Sequence, residues 1–181
     1  AEVQAAQPSV RVLDAADIPE MTAMDHFDVP VTAESRRRRR MYQEEQQRQV
    51  AHAGHASEDF YDFLRDCMIT LNVRRLDRQS FARVQELAQR TNQLNYSGRR
   101  LSDAELDALV DADGPLTGLV LSAADRFGDY GIIGFAVIDQ TSWTVRDFFM
   151  SCRVQRKTVE HAFFALLQKR AAEAGADTVH I

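Results

Sequence analysis

Apolar residues recur along this chain with two different periods, and each change of period marks an element. A two-residue alternation makes Met68 to Val73 a strand, while Phe60, Phe63 and Leu64, at three- and four-residue spacing, mark a helix that starts near Ser57. Phe81, Val84, Leu87 and Ala88 make Ser80 to Thr91 a second amphipathic helix, and Ser102-Asp103-Ala104-Glu105 is a capping-box pattern opening a third that ends near Val110. Three strands then follow closely: Leu116 to Ser122, Gly131 to Asp139 and Thr144 to Met150. A helix from Thr158 to about Ala174 closes at Gly175, and Thr178 to Ile181 reads as one more strand. Near the start, Ser9 to Leu13 reads as a short strand, and a Pro-punctuated stretch runs to Pro30. From Thr32, a predicted N-cap, a polar helix passes through Arg36 to Arg40, Glu44, Glu45 and Arg48 to about Ala53. It has few apolar positions, so it is expected to link or to lie on a surface.

Closely spaced strands imply an antiparallel meander, and the final strand-helix-strand return implies a parallel pair. The expected class is α/β (α+β): a mixed, mostly antiparallel sheet flanked by helices. Composition leaves this picture unchanged. With 181 residues, 45% hydrophobic and 27% charged, the chain suits one well-formed core with a leading appendage. A net charge of -5 argues against a general nucleic-acid binder. The run Arg36 to Arg40 points in all directions around its helix and is followed by Glu44 and Glu45, so it reads as a charged linker. No apolar stretch is long enough to cross a bilayer and no secretory pattern opens the chain, so the expected location is the cytoplasm. There, Cys67 and Cys152 are expected as free thiols. His52-Ala53-Gly54-His55 lacks the partners of a metal site, and no metal is assigned.

The chemistry concentrates where Phe148-Phe149-Met150 runs into Ser151-Cys152-Arg153-Val154 just before the last long helix. A thiol beside a guanidinium and a helix N-terminus is a place to hold a thioester, and Cys152 is the candidate nucleophile. The other reading is a small hydrophobe closing a sheet. The element order matches the acyl-CoA N-acyltransferase (GNAT-like) fold, in which the helix after the fourth strand presents its N-terminus to a pyrophosphate. There the loop reads Arg-x-x-Gly-x-Gly, whereas this chain has Arg153-Val154-Gln155-Arg156-Lys157-Thr158, with both glycines replaced. Arg156, Lys157 and Thr158 are candidate ligands for phosphate, better suited to a phosphopantetheine arm than to tightly gripped coenzyme A. The alternative is a solvated corner. Arg126 and Asp129 bracket a hairpin turn as an ion pair, an Asx-turn or a substrate anchor. His161 is weighed as a distant base or as a packing residue.

Three motifs carry a more specific likeness: Arg83-Val84-Gln85-Glu86-Leu87-Ala88-Gln89-Arg90-Thr91-Asn92-Gln93-Leu94-Asn95, then Asp125-Arg126-Phe127-Gly128-Asp129-Tyr130-Gly131, then Met150-Ser151-Cys152-Arg153-Val154 with Val159-Glu160. In this order they resemble the C-terminal half of FkbH-like proteins, which pair a haloacid-dehalogenase-type phosphatase domain with an acyltransferase-like domain. Phe27, Thr32, Glu34, Arg38, Met41 and Tyr42 resemble the stretch joining the two.

The resemblance implies transfer of a glyceryl or related three-carbon acyl group, derived from a phosphorylated glycerate, to an acyl carrier protein in polyketide assembly. It implies catalytic Cys152 and Asp129, and a substrate pocket of Asn92, Gln93, Asn95, Arg126 and Arg153. Asn92, Gln93 and Asn95 are equally read as amides capping a helix end. The implied cofactor is phosphopantetheine on the carrier protein or coenzyme A. Magnesium belongs only to the phosphatase half, whose Asp-x-Asp-x-Thr signature this chain lacks, since Asp111-Ala112-Asp113-Gly114-Pro115 reads as a helix stop and turn. The expected division is 1–31 as the tail of a phosphatase-type domain, 32–56 as linker helix and 57–181 as an acyltransferase domain cut short at its C-terminus. A docking module for the carrier protein, without catalysis, is the alternative function.

Overall fold

The computed structural model describes residues 2–10, 12–21, 24, 33–54, 60–91, 94–110 and 114–181. They cluster into two compact units, Ala1–Arg40 and Met41–Ile181. The first carries two short helices, α1 (Glu2–Ala6) and α2 (Ile18–Met21), with a 3-10 turn at Ala15–Asp17 between them. That turn is closed by a capping box in which the Asp14 side chain accepts from the Ala16 amide. The strand expected over Ser9 to Leu13 is not found among the described residues. Gln7 to Ser9 turn instead, with the Val10 amide donating to Gln7 O, so the local backbone bonds leave no ladder to extend.

α3 (Ala33–Gly54) crosses from the first unit into the second, and its expected N-cap, Thr32, lies outside the described residues. The second unit continues with α4 (Phe60–Asp66), β1 (Thr70–Arg75), α5 (Arg78–Arg90) and α6 (Asp103–Val110). Then come β2 (Leu116–Asp125), β3 (Gly128–Asp139), β4 (Thr144–Met150) and α7 (Val159–Glu173). Helix α5 begins two residues earlier than its apolar stripe suggests because Asp77 caps it, with its side chain accepting from the Ser80 amide at 2.8 Å. The capping box read at Ser102 is present: Glu105 Oε2 accepts from the Ser102 amide at 2.8 Å and Ser102 Oγ accepts from the Glu105 amide.

The four strands form an antiparallel sheet in the order β1-β2-β3-β4. Both faces are covered, which explains why Ile132 to Ile138 reads as one continuous apolar run. On one face Leu121, Ile133, Phe148 and Met150 pack with Val159, Phe163 and Leu167 of α7. On the other, Val120, Phe135 and Phe149 pack with Val84 and Leu87 of α5 and Leu106 of α6. The second core leaves no room for a side chain at Gly118, where a Cβ would lie 2.9 Å from the Phe135 ring. The return after α7 is parallel to β4 as expected, but it is a single bridge, Thr144 with His180, rather than a strand. This is the α+β, mostly antiparallel sheet flanked by helices that the order of elements predicts.

The outer edge of β4 is also covered near its end. The Tyr96 amide donates to Phe148 O and the Met150 amide to Leu94 O, so Leu94 to Tyr96 runs antiparallel to the strand. Opposite, a register shift between Val137 and Ile138 leaves Arg146 as an extra residue on β4, which bends the strand just before Asp147.

Candidate functional site

One end of the sheet gathers the β2–β3 turn, the start of β1 and the loop from β4 into α7. Ser151 caps a 3-10 turn, Cys152–Val154, accepting from the Arg153 amide. Arg156 follows at φ 65° and Thr158 at φ 56°. These are the two positions at which Arg-x-x-Gly-x-Gly asks for glycine, and the backbone keeps the left-handed conformation that glycine would supply. Thr158 then stands as the N-cap of α7 with no side-chain cap bond. Its carbonyl accepts from the Ala162 amide, and the amides of Val159, Glu160 and His161 have no acceptor among the described residues. Unpaired first-turn amides plus the helix dipole favour an anion at this point.

The left-handed pair carries a measurable strain, because a Cβ in this region crowds the carbonyl at a cost of about 1–2 kcal/mol per residue. Arg156→Gly with Thr158→Gly is therefore expected to raise the unfolding midpoint by several degrees, read by calorimetry. A lower midpoint would show that the loop does not hold these angles.

The residues marked in the sequence are distributed unevenly around this loop. Cys152 is an exposed free thiol, and Cys67 is a buried one whose pKa burial pushes up. Cys152 opens the 3-10 turn Cys152–Val154, ahead of α7, which begins at Val159. Arg153 sends its guanidinium to Met41, Nη1 lying 3.4 Å from Sδ. Lys157 is largely buried and turns inward, its Nζ 3.9 Å from Glu45 Oε2 and 5.7 Å from the centre of the Tyr130 ring. Arg156 is exposed. Lys157, Thr158 and Val159 also line a groove of about 340 Å³ shared with Leu64 and Met68.

Asp129 and Arg126 sit exposed at the β2–β3 turn without pairing with each other. Asp129 accepts from the Gly131 amide at 2.7 Å, and Arg126 lies over the Phe127 ring at 4.7 Å. Of the Asn92, Gln93 and Asn95 group, the first two fall outside the described residues. The Asn95 amide is spent on its own loop, donating to Arg99 O at 2.6 Å and accepting from Ser97 Oγ and the Gly98 amide, so it builds the turn. His161 is exposed with Nδ1 3.6 Å from Glu160, its own neighbour.

The sequence did not mark the polar centre beneath this end. Arg48 of α3 reaches Asp125 with Nε at 2.6 Å and Nη2 at 2.9 Å, a fork matched to both carboxylate oxygens. Their side chains are 5% and 1% exposed. Asp125 also accepts from Tyr130 Oη at 2.6 Å and from the amides of Phe127 and Gly128. Burial would raise the Asp125 pKa, but its hydrogen bonds from Arg48, Tyr130 and Phe127 outweigh burial and hold it below the usual carboxylate range. Burial and the bond to Asp125 push the Tyr130 hydroxyl strongly up, so it remains a donor. Arg48 lies over the Tyr130 ring at 4.3 Å, and its own pKa is raised because the Asp125 bond overcomes desolvation. Buried Glu44 packs its carboxylate where a side chain on Gly128 would stand, which explains glycine there. The helix that looked like a polar linker is thus anchored to the β2–β3 turn through its charges.

A second residue missed in the sequence is Asp147, 3% exposed in the middle of β4, with Oδ2 3.2 Å from Arg99 Nη1. The available signal was a lone carboxylate inside Val145 to Met150, an otherwise apolar strand after Arg146. No group of three or more potential metal ligands and no helix long and apolar enough to cross a membrane occurs among the described residues.

Neither a family profile nor a curated protein matches this chain. A similar solved structure is the ribosomal-protein-S18-alanine N-acetyltransferase from Escherichia coli, 13% identical with a TM-score of 0.41, the likeness covering 56% of this chain and 62% of that one. The chain thus spans less than two thirds of that protein's length.

Proposed function

We propose that this chain is the acyltransferase-like part of an enzyme and binds the phosphopantetheine arm of an acyl thioester at the β4–α7 loop. One observation carries the reading: Arg156 and Thr158 hold left-handed angles at the two glycine positions of a phosphate-binding loop, ahead of three unpaired amides. A phosphate seated there accepts from the first turn of α7, and exposed Arg156 adds a charge. The groove lined by Leu64, Met68, Thr158 and Val159 gives the pantetheine chain an apolar bed beside it. Lys157, held by Glu45, positions the loop from below rather than serving as the main phosphate ligand.

The acyl group is glyceryl or a related three-carbon acid derived from a phosphorylated glycerate, and the partner is an acyl carrier protein, as the FkbH-like resemblance implies. In the covalent form of the reaction, Cys152 Sγ attacks the thioester carbonyl and forms the new C–S bond. The bond to the pantetheine sulfur breaks, and that sulfur leaves as the thiol carrying the proton Cys152 gave up. Arg126 and Asp129, exposed at the same end of the sheet, supply polar contacts to the glyceryl hydroxyls.

The test is the intact mass of the chain after incubation with a glyceryl-loaded carrier protein, beside Cys152→Ser. A glyceryl adduct on the parent that the variant lacks supports a covalent carrier. An unmodified parent that binds the carrier protein leaves thioester docking without the covalent step. Coenzyme A is titrated in parallel, and Arg156→Glu is expected to weaken it about tenfold by replacing an attractive charge with a repulsive one. Equal affinity of parent and variant would remove the loop from the reading.

A further inference from the structure

The face of the sheet covered by α5 and α6 holds a cavity of about 650 Å³, lined by Leu101, Leu109, Leu116 and Val137 with Arg99 and Asp147 among its polar groups. It lies toward the start of β4, whereas the loop into α7 follows the strand's end. The carboxylate oxygens of its described lining residues can be accounted for one by one. Glu105 Oε1 takes Arg99 Nη2 at 2.8 Å, and Oε2 takes the Ser102 amide and hydroxyl, each at 2.8 Å. Asp139 Oδ2 takes Arg146 at 3.0 Å, and Oδ1 takes the amides of Thr141 and Ser142. Asp147 Oδ2 takes Arg99 at 3.2 Å. Asp147 Oδ1 alone has no hydrogen-bond partner among the described residues, on a side chain only 3% exposed.

Buried carboxylate oxygens are paired in folded proteins, and an orphan calls for an explanation. The charges point the same way. Among the described lining residues, three carboxylates (Glu105, Asp139 and Asp147) face two guanidiniums (Arg99 and Arg146), one negative charge over. The bend in β4 at Arg146 sets Asp147 against this wall, across from Val137. Oδ1 is sealed from water where it stands, so an incoming donor reaches it when the soft Cβ–Cγ bond of Asp147 turns and Oδ2 gives up Arg99.

From this accounting we propose that the cavity is a binding site for a small molecule with an apolar body and one primary ammonium group, the ammonium donating to Asp147. A single cation satisfies both the unpaired oxygen and the uncompensated charge, and the aliphatic walls take the body. A carboxylate would meet Asp147 with like charge, and a neutral alcohol would satisfy the oxygen without balancing the charge. The site is independent of thioester binding at the β4–α7 loop.

The experiment titrates the full chain with hexylammonium, 1-hexanol and hexanoate, followed by NMR shifts of the Leu101 and Val137 methyl groups. Hexylammonium is expected to bind about tenfold more tightly than hexanol, with no binding of hexanoate. Asp147→Asn is expected to bring hexylammonium down to the affinity of hexanol. Leu109→Trp, which fills the cavity and keeps the carboxylate, is expected to abolish binding of both, and it decides the matter if Asp147→Asn does not fold. Hexanol binding as tightly as hexylammonium, Asp147→Asn leaving the preference intact, or Leu109→Trp binding normally would each overturn the proposal.

Discussion

Arg48→Met is expected to cost about 3–5 kcal/mol, because it leaves the Asp125 carboxylate buried without the guanidinium that forks onto both its oxygens. For a unit of this size that is a fall of roughly 6–20 °C in the unfolding midpoint. The pH dependence separates this cause from lost packing. Asp125 is held below the usual carboxylate range in the folded chain. Its contribution is therefore fully present above the unfolded value of about 3.9 and is lost as pH falls through the depressed folded value. Without Arg48, burial dominates and the folded value rises, so the sign reverses and acidification relieves the variant. The stability gap is expected to be widest at neutral pH and to narrow below pH 4, measured by denaturant unfolding across that range. A gap of constant size would mean that Arg48 acts through its apolar stem alone.

Phe148→Ala is expected to lose a similar amount, about 3–5 kcal/mol, from truncation of a fully buried ring. Phe148 stacks on Phe163 of α7 at 5.1 Å and on Tyr96 at 5.1 Å, and meets Phe164 edge-on at 5.3 Å. Each such pair adds about 0.5–1.5 kcal/mol beyond buried area. The ring therefore joins three things: the strand leading to Cys152, the helix that begins at Val159, and the segment Leu94 to Tyr96 along the edge of β4. Hydrogen exchange is expected to rise in α7 and at the Tyr96 and Met150 amides, while the α5 amides stay protected on the other face. Phe148→Leu should restore more than half of the loss. A loss below about 1.5 kcal/mol with unchanged exchange in α7 would show that Phe163 and Phe164 seat the helix without it.

How the site could be read beforehand differs residue by residue. The loop from Arg153 to Thr158 reads in sequence as Arg-x-x-Gly-x-Gly with both glycines replaced. The left-handed backbone at Arg156 and Thr158 is what residue types alone do not report. Lys157 reads as a phosphate ligand from its place before a helix, and the structure gives its Nζ Glu45 and the Tyr130 ring as neighbours. Asn95 looked equally like a pocket wall and a turn former. Three hydrogen bonds within four residues make it a turn former.

The sequence by itself determined the local elements. Period-two alternation placed β1 and a 3.6-residue stripe placed α5 to within a few residues, closely spaced apolar runs placed β2 to β4, and a Ser–Glu capping box placed α6, because these signals arise from neighbours along the chain. The chain's order of elements then pointed to a mixed, mostly antiparallel sheet with helices on its faces. Only the tertiary structure decided the partners of the charged residues. Arg48 and Asp125 are 77 positions apart, and Arg99 and Asp147 are 48 apart, so nothing in either segment reveals the match. In a helix of solvated charges, Arg48 is indistinguishable from its neighbours until the β2–β3 turn closes over it. Asp147 is one carboxylate in a strand until a bulge sets it against the cavity wall. Such pairings depend on register and packing between distant elements, where desolvation makes a charge either strongly held or strongly unfavourable.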